Sequence, residues 1–334
     1  MKRLVLLLAL VLAACSAAPL RVQAAPAPLS ASGPSESVRL WQDAAIFGAA
    51  EDLIGSASGR VLVEMYEFGR RDLEDALLSA RRRGADVRLV YDPSVAQTAR
   101  AAARLAGLGL PVRAYPLDDR RHQIDHVKLL IADGHALVAG MNWGATSARN
   151  HDYGLETWAP LEVGRLDAIF EQDWSLAGGM PKPLAAAPPG DPILQTAPGA
   201  EVLSALLDLI ARARSEIRAE IFVLTDHEVL AALAAAHRRG VRVRVLLDPR
   251  QDVNQPGRKL LAAAGVEVRS YPAPPGAKLH AKTGLFDVRR LLLGSANWSL
   301  SGLTVNHELD VETTDPDAIR AYASRFESDW ARAA

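Results

Sequence analysis

Two stretches of the chain are near copies of each other: RRRGADVRLVYDP at residues 81–93 and HRRGVRVRVLLDP at residues 237–249. They start 156 residues apart, and three further pairs of short motifs recur at almost the same distance. These pairs are Tyr115-Pro116 with Tyr271-Pro272, Asn142-Trp143 with Asn297-Trp298, and Phe170–Trp174 with Phe326–Trp330. Self-similarity at a fixed offset is the signature of a repeated unit. We therefore interpret most of the chain as one domain duplicated in tandem.

Each copy alternates short apolar runs with helical patterns, which is typical of the α/β class. In the first copy we predict a strand at residues 61–66, a helix at 72–83, a strand at 87–91 and a hairpin of residues 127–132 with 136–139. In the second copy the corresponding elements are a strand at residues 217–224, a helix at 226–239, a strand at 241–247 and a hairpin of residues 283–286 with 291–293. Gly84 and Gly240 follow the helices, as glycine often does at a helix C-terminus. The pattern predicts two tandem α/β sandwiches with mixed sheets, related by a pseudo-two-fold axis as homodimers are by a true one.

The composition along the chain predicts the domain boundaries. We expect the first domain at residues 38–175 and the second at residues 201–334. Residues 176–200 contain six prolines and predict a linker between the two domains. Residues 15–37 are rich in Ala, Pro and Ser and predict a flexible tether.

The first residues are typical of an export signal. Met1–Arg3 is positively charged, and the apolar run at residues 4–14 is too short to span a bilayer, which needs about 20 residues. The run ends in Leu12-Ala13-Ala14-Cys15, which resembles a bacterial lipobox and contains the only cysteine of the chain. We expect a signal peptide at residues 1–14, a lipidated Cys15, and an exported lipoprotein anchored to a membrane in the periplasm or on the cell surface. The alternative is a plain signal peptide and a secreted protein.

The overall composition excludes several classes of protein. With 38 Lys and Arg against 39 Asp and Glu, the formal net charge is −1, which excludes a histone-like nucleic-acid binder but permits a local basic pocket. One cysteine excludes a disulfide framework and a cysteine-rich metal site. Hydrophobic residues make up 49% of the chain and charged residues 23%, as expected for a folded soluble protein.

Each copy contains the pattern His-x-Lys-x4-Asp. The candidate catalytic residues are therefore His126, Lys128 and Asp133 in the first copy and His280, Lys282 and Asp287 in the second. Residues two apart on a strand share a face, so the imidazole and the ammonium of each copy project together. An ammonium suits a phosphate oxygen as a point charge, and Lys fills both positions in a chain with 32 Arg and 6 Lys. We expect the two aspartates to form structural ion pairs, and we expect no metal here because Lys is not a metal ligand at neutral pH.

Two further pairs of polar residues follow the motifs. Asn142 and Asn297 end small-residue turns and are candidates for binding the substrate. Asp152 and Glu308 lie 26 and 28 residues after the motif histidines, and we expect them to orient the imidazoles by accepting a hydrogen bond from Nδ1. The neighbouring histidines, His151 and His307, are either part of the site wall or packed in the core.

These residues closely resemble the phospholipase D superfamily, whose signature is a paired His-Lys-Asp motif followed by a Gly-Ser-x-Asn turn. The resemblance runs from about residue 38 to the end. The first copy departs from the signature, because Ala139-Gly140 stands in place of Gly-Ser and Asp152 in place of the usual Glu. The resemblance implies phosphodiester chemistry without metal or cofactor: His126 attacks phosphorus, His280 protonates the leaving group and then activates water or an alcohol, and Lys128, Lys282, Asn142 and Asn297 hold the phosphate oxygens.

The leading functional hypothesis is a lipid-anchored hydrolase of phospholipid head groups, acting as a monomer with two pseudo-symmetric halves. A membrane anchor and a slightly acidic chain favour a phospholipid over a polyanionic substrate. The alternatives are a nuclease, with nucleic acid bound only as substrate and Arg120-Arg121 as candidate contacts, and a phosphatidyl transferase of the cardiolipin synthase type. A non-catalytic lipid- or polyanion-binding lipoprotein is the remaining alternative, and two intact His-Lys pairs argue against it.

Overall fold

The computed structural model describes residues 37–184, 187–188, 190–196 and 200–333. The predicted signal peptide, Cys15 and all of the predicted tether except Ser37 lie outside the described residues. Among the helices described, none combines the length and the apolar character needed to cross a membrane.

The first lobe is built on a seven-stranded mixed sheet, in the order β1-β7-β6-β5-β2-β3-β4. Its strands are β1 Val38–Gln42, β2 Arg60–Met65, β3 Asp86–Tyr91, β4 Val112–Ala114, β5 Lys128–Ala132, β6 His135–Ala139 and β7 Tyr153–Thr157. Its helices are α1 Ala45–Ser56, α2 Arg71–Arg82, α3 Ala96–Gly107 and α4 Pro160–Ala177. Strands β2, β3 and β4 are parallel, and the other pairs are antiparallel.

The second lobe repeats this plan, with a seven-stranded sheet in the order β11-β10-β9-β12-β13-β14-β8. Its strands are β8 Ile193–Gln195, β9 Glu216–Ile221, β10 Arg242–Leu247, β11 Glu267–Ser270, β12 Lys282–Phe286, β13 Arg290–Gly294 and β14 Leu309–Thr313. Its helices are α5 Glu201–Arg212, α6 His227–Arg238, α7 Gln255–Ala263, α8 Leu300–Thr304 and α9 Pro316–Arg332. The predicted tandem α/β architecture with mixed sheets is therefore confirmed.

Local sequence signals account for the elements next to the site. The hairpins β5–β6 and β12–β13 are antiparallel and fall where the sequence predicted them. Asp226 caps α6 by accepting hydrogen bonds from the backbone N–H groups of Glu228 and Val229. Gly84 and Gly240 have φ of +101° and +91°, a backbone region that favours glycine and ends the helix before the next strand.

The two lobes exchange backbone hydrogen bonds in a reciprocal manner. The N–H of His126 donates to the carbonyl of His307 (2.8 Å), and the N–H of His280 donates to the carbonyl of His151 (2.8 Å). The motif histidine of each lobe thus contacts the equivalent histidine segment of the other lobe, as a two-fold interface requires. One apolar core cluster contains residues from both sheets, including β5, β7, β12 and β13.

The segment at residues 176–200 was predicted as a linker, but parts of it belong to a helix and a strand. Helix α4 continues to Ala177, and β8 pairs antiparallel with β14. Strand β8 covers the edge of the second sheet as β1 covers the edge of the first. The sequence did not predict this strand because it has only three residues, Ile193–Gln195, and lies among prolines, which are typical of loops.

Gly140 allows the lobes to approach each other closely. A Cβ atom there would lie 3.0 Å from the carbonyl oxygen of Gly294 in the other lobe and 2.3 Å from Oδ1 of Asp152. A side chain would therefore displace both the lobe interface and the Asp152 carboxylate.

We expect Gly140→Ala to lower the melting temperature, because the contacted backbone cannot move aside without separating the lobes. Gly48→Ala is the matched control: Gly48 lies exposed inside α1 with open space around it, and alanine favours a helix by about 1 kcal/mol over glycine. Thermal unfolding of both variants is the measurement. Equal melting temperatures for the two would contradict the close approach at Gly140.

Candidate active site

The two motif histidines lie at equivalent places, each two residues before a central strand: His126 before β5 and His280 before β12. Both are buried, with 5% and 7% of their surface exposed. Their backbone N–H groups bond to the opposite lobe, as described above, so the imidazoles are positioned at the junction of the lobes.

Each imidazole is held by a carboxylate from the other lobe. Nδ1 of His126 lies 2.7 Å from Oε2 of Glu308, and Nδ1 of His280 lies 2.8 Å from Oδ2 of Asp152. The structure thus brings the predicted orienting residues to the imidazoles, but each serves the histidine of the opposite copy rather than the motif it follows in sequence. The cause is the reciprocal pairing of the segments, which puts residues 151–152 beside His280 and residues 307–308 beside His126.

These contacts set the chemical state of the imidazoles. A carboxylate that accepts the Nδ1 proton leaves Nε2 as the nitrogen available for attack on phosphorus. Burial, reinforced by the lysine charges, lowers the pKa of His280 to about 3 and lowers that of His126 well below its usual value. Neutral imidazoles at neutral pH suit nucleophilic attack. Burial also raises the pKa of Glu308 to about 7.

Both motif lysines are buried beside their histidines. The ammonium groups of Lys128 and Lys282 donate to the backbone carbonyls of His126 and His280. Burial lowers the pKa of Lys128 to about 7 and that of Lys282 to about 8. Two ammonium groups in a water-poor site favour an anion between them, because electrostatic attraction is stronger there than in water.

The candidate substrate-binding asparagines have unused hydrogen-bonding capacity. Nδ2 of Asn142 donates to Oε2 of Glu67 (3.1 Å), while Oδ1 of Asn142 and Oδ1 of Asn297 have no partner among the described residues. The following tryptophans, Trp143 and Trp298, are fully buried in the cores of their lobes, so they pack rather than form a substrate platform.

Sequence reasoning missed two residues next to the imidazoles and a third, Glu67, that accepts a hydrogen bond from Asn142. Tyr66 contacts the ring of His126 edge-on (centroids 4.8 Å apart), and Phe222 contacts that of His280 (4.9 Å). Both follow the equivalent strands β2 and β9 and lie 156 residues apart, so the repeat offset is a signal that could have found them. Glu67 has no such signal, because Val223 is its counterpart.

Asp133 and Asp287 are not brought to the site. Both lie at the far end of the motif strands, in the hairpin turns, with φ of +50° and +53°. Asp133 accepts hydrogen bonds from the backbone N–H groups of residues 58–60, and Asp287 from those of residues 214–216. Their role is structural, as expected, but they bind backbone amides of the loops before β2 and β9 rather than form the ion pairs that we predicted.

His151 and His307 are packed in buried polar clusters rather than exposed in a site wall. The ring of His307 stacks on Tyr115 (centroids 4.9 Å apart), and the ring of His151 stacks on Tyr271 (5.1 Å). Nε2 of His307 lies 3.0 Å from Oδ2 of Asp173. Both histidines are therefore fixed by ring stacking and by polar contacts with buried neighbours.

Two similar mixed-sheet lobes that share paired His-Lys motifs at their junction define an enzyme of the phospholipase D superfamily. The chain belongs to the family described as "Cardiolipin synthase, PLD-like domain", whose sequence model matches residues 51–174 and 206–330. The predicted superfamily is therefore confirmed.

Individual relatives cover different parts of the chain. A probable cardiolipin synthase of Bacillus subtilis is 27% identical over an alignment of 314 positions, and the alignment covers 82% of this chain and 61% of that protein. The mitochondrial cardiolipin hydrolase of Homo sapiens is 33% identical over 133 residues, 40% of this chain and 52% of that protein. Among solved structures, the phosphatidylserine synthase of Haemophilus influenzae is similar with a TM-score of 0.69 at 12% identity, covering 88% of this chain and 86% of that one. At that identity the similarity shows the fold.

We expect Asp152→Asn and Glu308→Gln each to lower kcat by roughly 10²–10⁴-fold, the usual contribution of a correctly poised acid or base. Each substitution lets the amide group donate to Nδ1, which moves the imidazole proton to the reacting nitrogen. The measurement is the steady-state rate of phosphodiester turnover by each variant, after its fold has been checked by thermal unfolding. Asp133→Asn makes the same chemical change far from the imidazoles, and should lower thermal stability while kcat is retained. An equal loss of kcat in Asp133→Asn would contradict the assignment.

We expect a narrow bell-shaped pH profile of kcat/KM with its maximum at about pH 7. As pH falls through about 7, Glu308 takes up a proton and no longer accepts the Nδ1 proton of His126. As pH rises through about 7 to 8, Lys128 and Lys282 lose the charges that attract the phosphate. Glu308→Gln removes the acidic limb and keeps the alkaline one. An unchanged acidic limb in that variant would refute the assignment.

Proposed function

We propose that this chain is a phosphatidyl transferase, which moves a phosphatidyl group from one alcohol to another through a phosphohistidine intermediate. The observation that carries the proposal is the pair of buried imidazoles, each held at Nδ1 by a carboxylate and flanked by a buried ammonium. The similarity to the probable cardiolipin synthase of Bacillus subtilis supports transfer to an alcohol over the hydrolysis that the sequence favoured. The chain spans 61% of the length of the Bacillus subtilis protein, so the use of phosphatidyl donors and alcohol acceptors by this chain is proposed along with the reaction.

The first half-reaction forms the covalent intermediate. Nε2 of His126 attacks phosphorus, the bond from phosphorus to the departing alcohol breaks, and that oxygen takes the proton from Nε2 of His280. The phosphodiester anion opposes the ammonium charges that lower the pKa of His280, so substrate binding favours the protonated imidazole that this step needs. Lys128 and Lys282 stabilise the charge on the non-bridging oxygens.

The second half-reaction reverses the first with a new alcohol. The acceptor hydroxyl gives its proton to Nε2 of His280 and attacks phosphorus, the bond to His126 breaks, and both imidazoles return to their starting states. Burial of both imidazoles, with Tyr66 and Phe222 against their rings, restricts the access of water. A lipid bound over the site would exclude water further and offer its own hydroxyl as the acceptor.

Hydrolysis is the second candidate, because it differs only in using water as the acceptor. Its support is the 33% identity to the human cardiolipin hydrolase over 40% of this chain. The nuclease alternative has weaker support: Arg120 and Arg121 are exposed, and Arg121 is engaged with the carbonyl of Thr304 (2.9 Å).

The test is incubation of the purified full chain with phosphatidylglycerol vesicles, followed by separation of the lipid products. Transfer to the free hydroxyl of a second phosphatidylglycerol gives cardiolipin and glycerol, whereas hydrolysis gives phosphatidic acid and glycerol. We expect cardiolipin, and we expect none from His126→Asn or His280→Asn. His122→Asn is the matched control, because His122 is exposed with φ of +52°, a conformation that Asn adopts readily.

Other outcomes would replace the proposal. Phosphatidic acid without cardiolipin would make the protein a hydrolase. A parallel incubation with single-stranded DNA tests the nuclease alternative, and cleavage of the DNA with no lipid product from the vesicles would make the protein a nuclease. Vesicle binding without any turnover would make it a lipid-binding protein.

A further inference from the structure

Two buried polar clusters lie behind the carboxylates that orient the imidazoles. In each cluster, one nitrogen or oxygen atom from each of three side chains lies within 4.8 Å of the other two. We define the His307 cluster as His307, Glu64 and Asp173 with the adjacent Asp125, and the His151 cluster as His151, Glu220 and Asp329 with the adjacent Asp43. The repeat offset of 156 residues relates the three central members of one cluster to those of the other.

The His151 cluster has its own cation. The guanidinium of Arg325 contacts Oδ2 of Asp329 (2.7 Å), Oδ2 of Asp43 (2.8 Å) and Nδ1 of His151 (3.1 Å). The hydroxyl of Tyr153 donates to Oε2 of Glu220 (2.6 Å). Arg325 therefore compensates the charges of Asp329 and Asp43, and Tyr153 binds one of the two oxygens of Glu220.

The His307 cluster lacks these partners. Ile169 stands 156 residues before Arg325, and Leu309 stands 156 residues after Tyr153, so apolar side chains replace the guanidinium and the hydroxyl. Both are fully buried. Thr196 replaces Asp43, since the N–H of Thr196 bonds to the carbonyl of Glu308 as that of Asp43 bonds to Asp152.

Several polar atoms of the His307 cluster consequently have no hydrogen-bond partner within the described ranges. They are both carboxylate oxygens of Glu64, Oδ1 of Asp173, Oδ2 of Asp125 and Nδ1 of His307. Glu64 is completely buried, and its Oε1 lies 3.5 Å from Nε2 of His307. A buried carboxylate without hydrogen bonds is unfavourable and needs a cation or a proton.

We propose that the His307 cluster binds a divalent cation of the zinc type, through Nε2 of His307 and the carboxylates of Glu64 and Asp173. The nitrogen lies 3.0 Å from Oδ2 of Asp173 and 3.5 Å from Oε1 of Glu64. Ligands at 2.0–2.1 Å around a tetrahedral zinc ion are separated by about 3.3 Å, which these two distances match closely. The third distance, between the two carboxylate oxygens, is within 4.8 Å. Two carboxylates and a neutral imidazole balance a charge of +2.

The cation would join the two lobes outside the site of the reaction. Glu64 and Asp173 belong to the first lobe, on β2 and α4, and His307 belongs to the second. His307 also accepts the backbone hydrogen bond of His126 and precedes Glu308, which holds the imidazole of His126. The ion would therefore be structural and would take no part in phosphodiester exchange.

The test is metal analysis of the purified full chain by mass spectrometry after exposure to zinc and removal of unbound metal. We expect about one tightly bound zinc ion per chain in the wild type and in Glu220→Gln, and none in Glu64→Gln. The two substitutions are the same chemical change at equivalent positions, and Glu220 belongs to the cluster that Arg325 already neutralises. Loss of the ion in both variants, or in neither, would overturn the assignment.

A second measurement uses the wild type alone and does not depend on the folding of a variant. Metal-stripped protein should show a higher melting temperature after addition of zinc, because a ligand that binds only the folded state stabilises it. Cobalt(II) in place of zinc should give the visible absorption of a four-coordinate ion, with the unpartnered Oδ2 of Asp125 or a water as the fourth ligand. No change in melting temperature with zinc, together with no cobalt spectrum, would refute the site and leave protons as the compensation for the carboxylates.

Discussion

The active site depends on the reciprocal exchange between the lobes at the pseudo-two-fold axis. Each lobe supplies a histidine that lacks an orienting carboxylate of its own, and a carboxylate that lacks a histidine of its own. A single lobe would leave Glu308 or Asp152 without the imidazole that it binds. A buried carboxylate without a partner is strongly unfavourable, so correct docking of the lobes and correct preparation of the imidazoles are one event. The duplication is thereby part of the chemistry, since neither copy contains a complete set.

Burial gives this arrangement its electrostatic character. Two ammonium groups, two imidazoles and two carboxylates lie in a water-poor junction, where the lysine pKa values fall to about 7 and about 8. Without substrate, the two lysines therefore lose their protons easily near neutral pH. A phosphodiester anion stabilises the charged ammonium groups when it binds. The same anion favours protonation of His280, so substrate binding prepares the acid that the reaction needs. Affinity for the phosphate and activation of the imidazoles have one physical origin.

Much of the fold and most of the site residues could be predicted from the sequence, because the repeat and the alternating apolar patterns are visible in it directly. The positions of the hairpins and the identities of the motif residues follow from the repeat and its spacing. The exchange of Asp152 and Glu308 between copies could not be predicted, since no local pattern encodes which lobe faces which segment. Strand β8 was missed because three residues among prolines carry too little signal. The backbone contacts of Asp133 depend on loop geometry, which is equally invisible in the sequence.

The crosswise pairing of imidazole and carboxylate is the central claim, and NMR of the histidine ring protons tests it most directly. In protein with ¹⁵N-labelled histidine, removal of each motif histidine assigns the Nδ1–H resonances of His126 and His280. Glu308→Gln should then shift the resonance of His126 and leave that of His280 in place, and Asp152→Asn should do the reverse. A shift of His280 alone in Glu308→Gln, or of His126 alone in Asp152→Asn, would contradict the exchange between lobes.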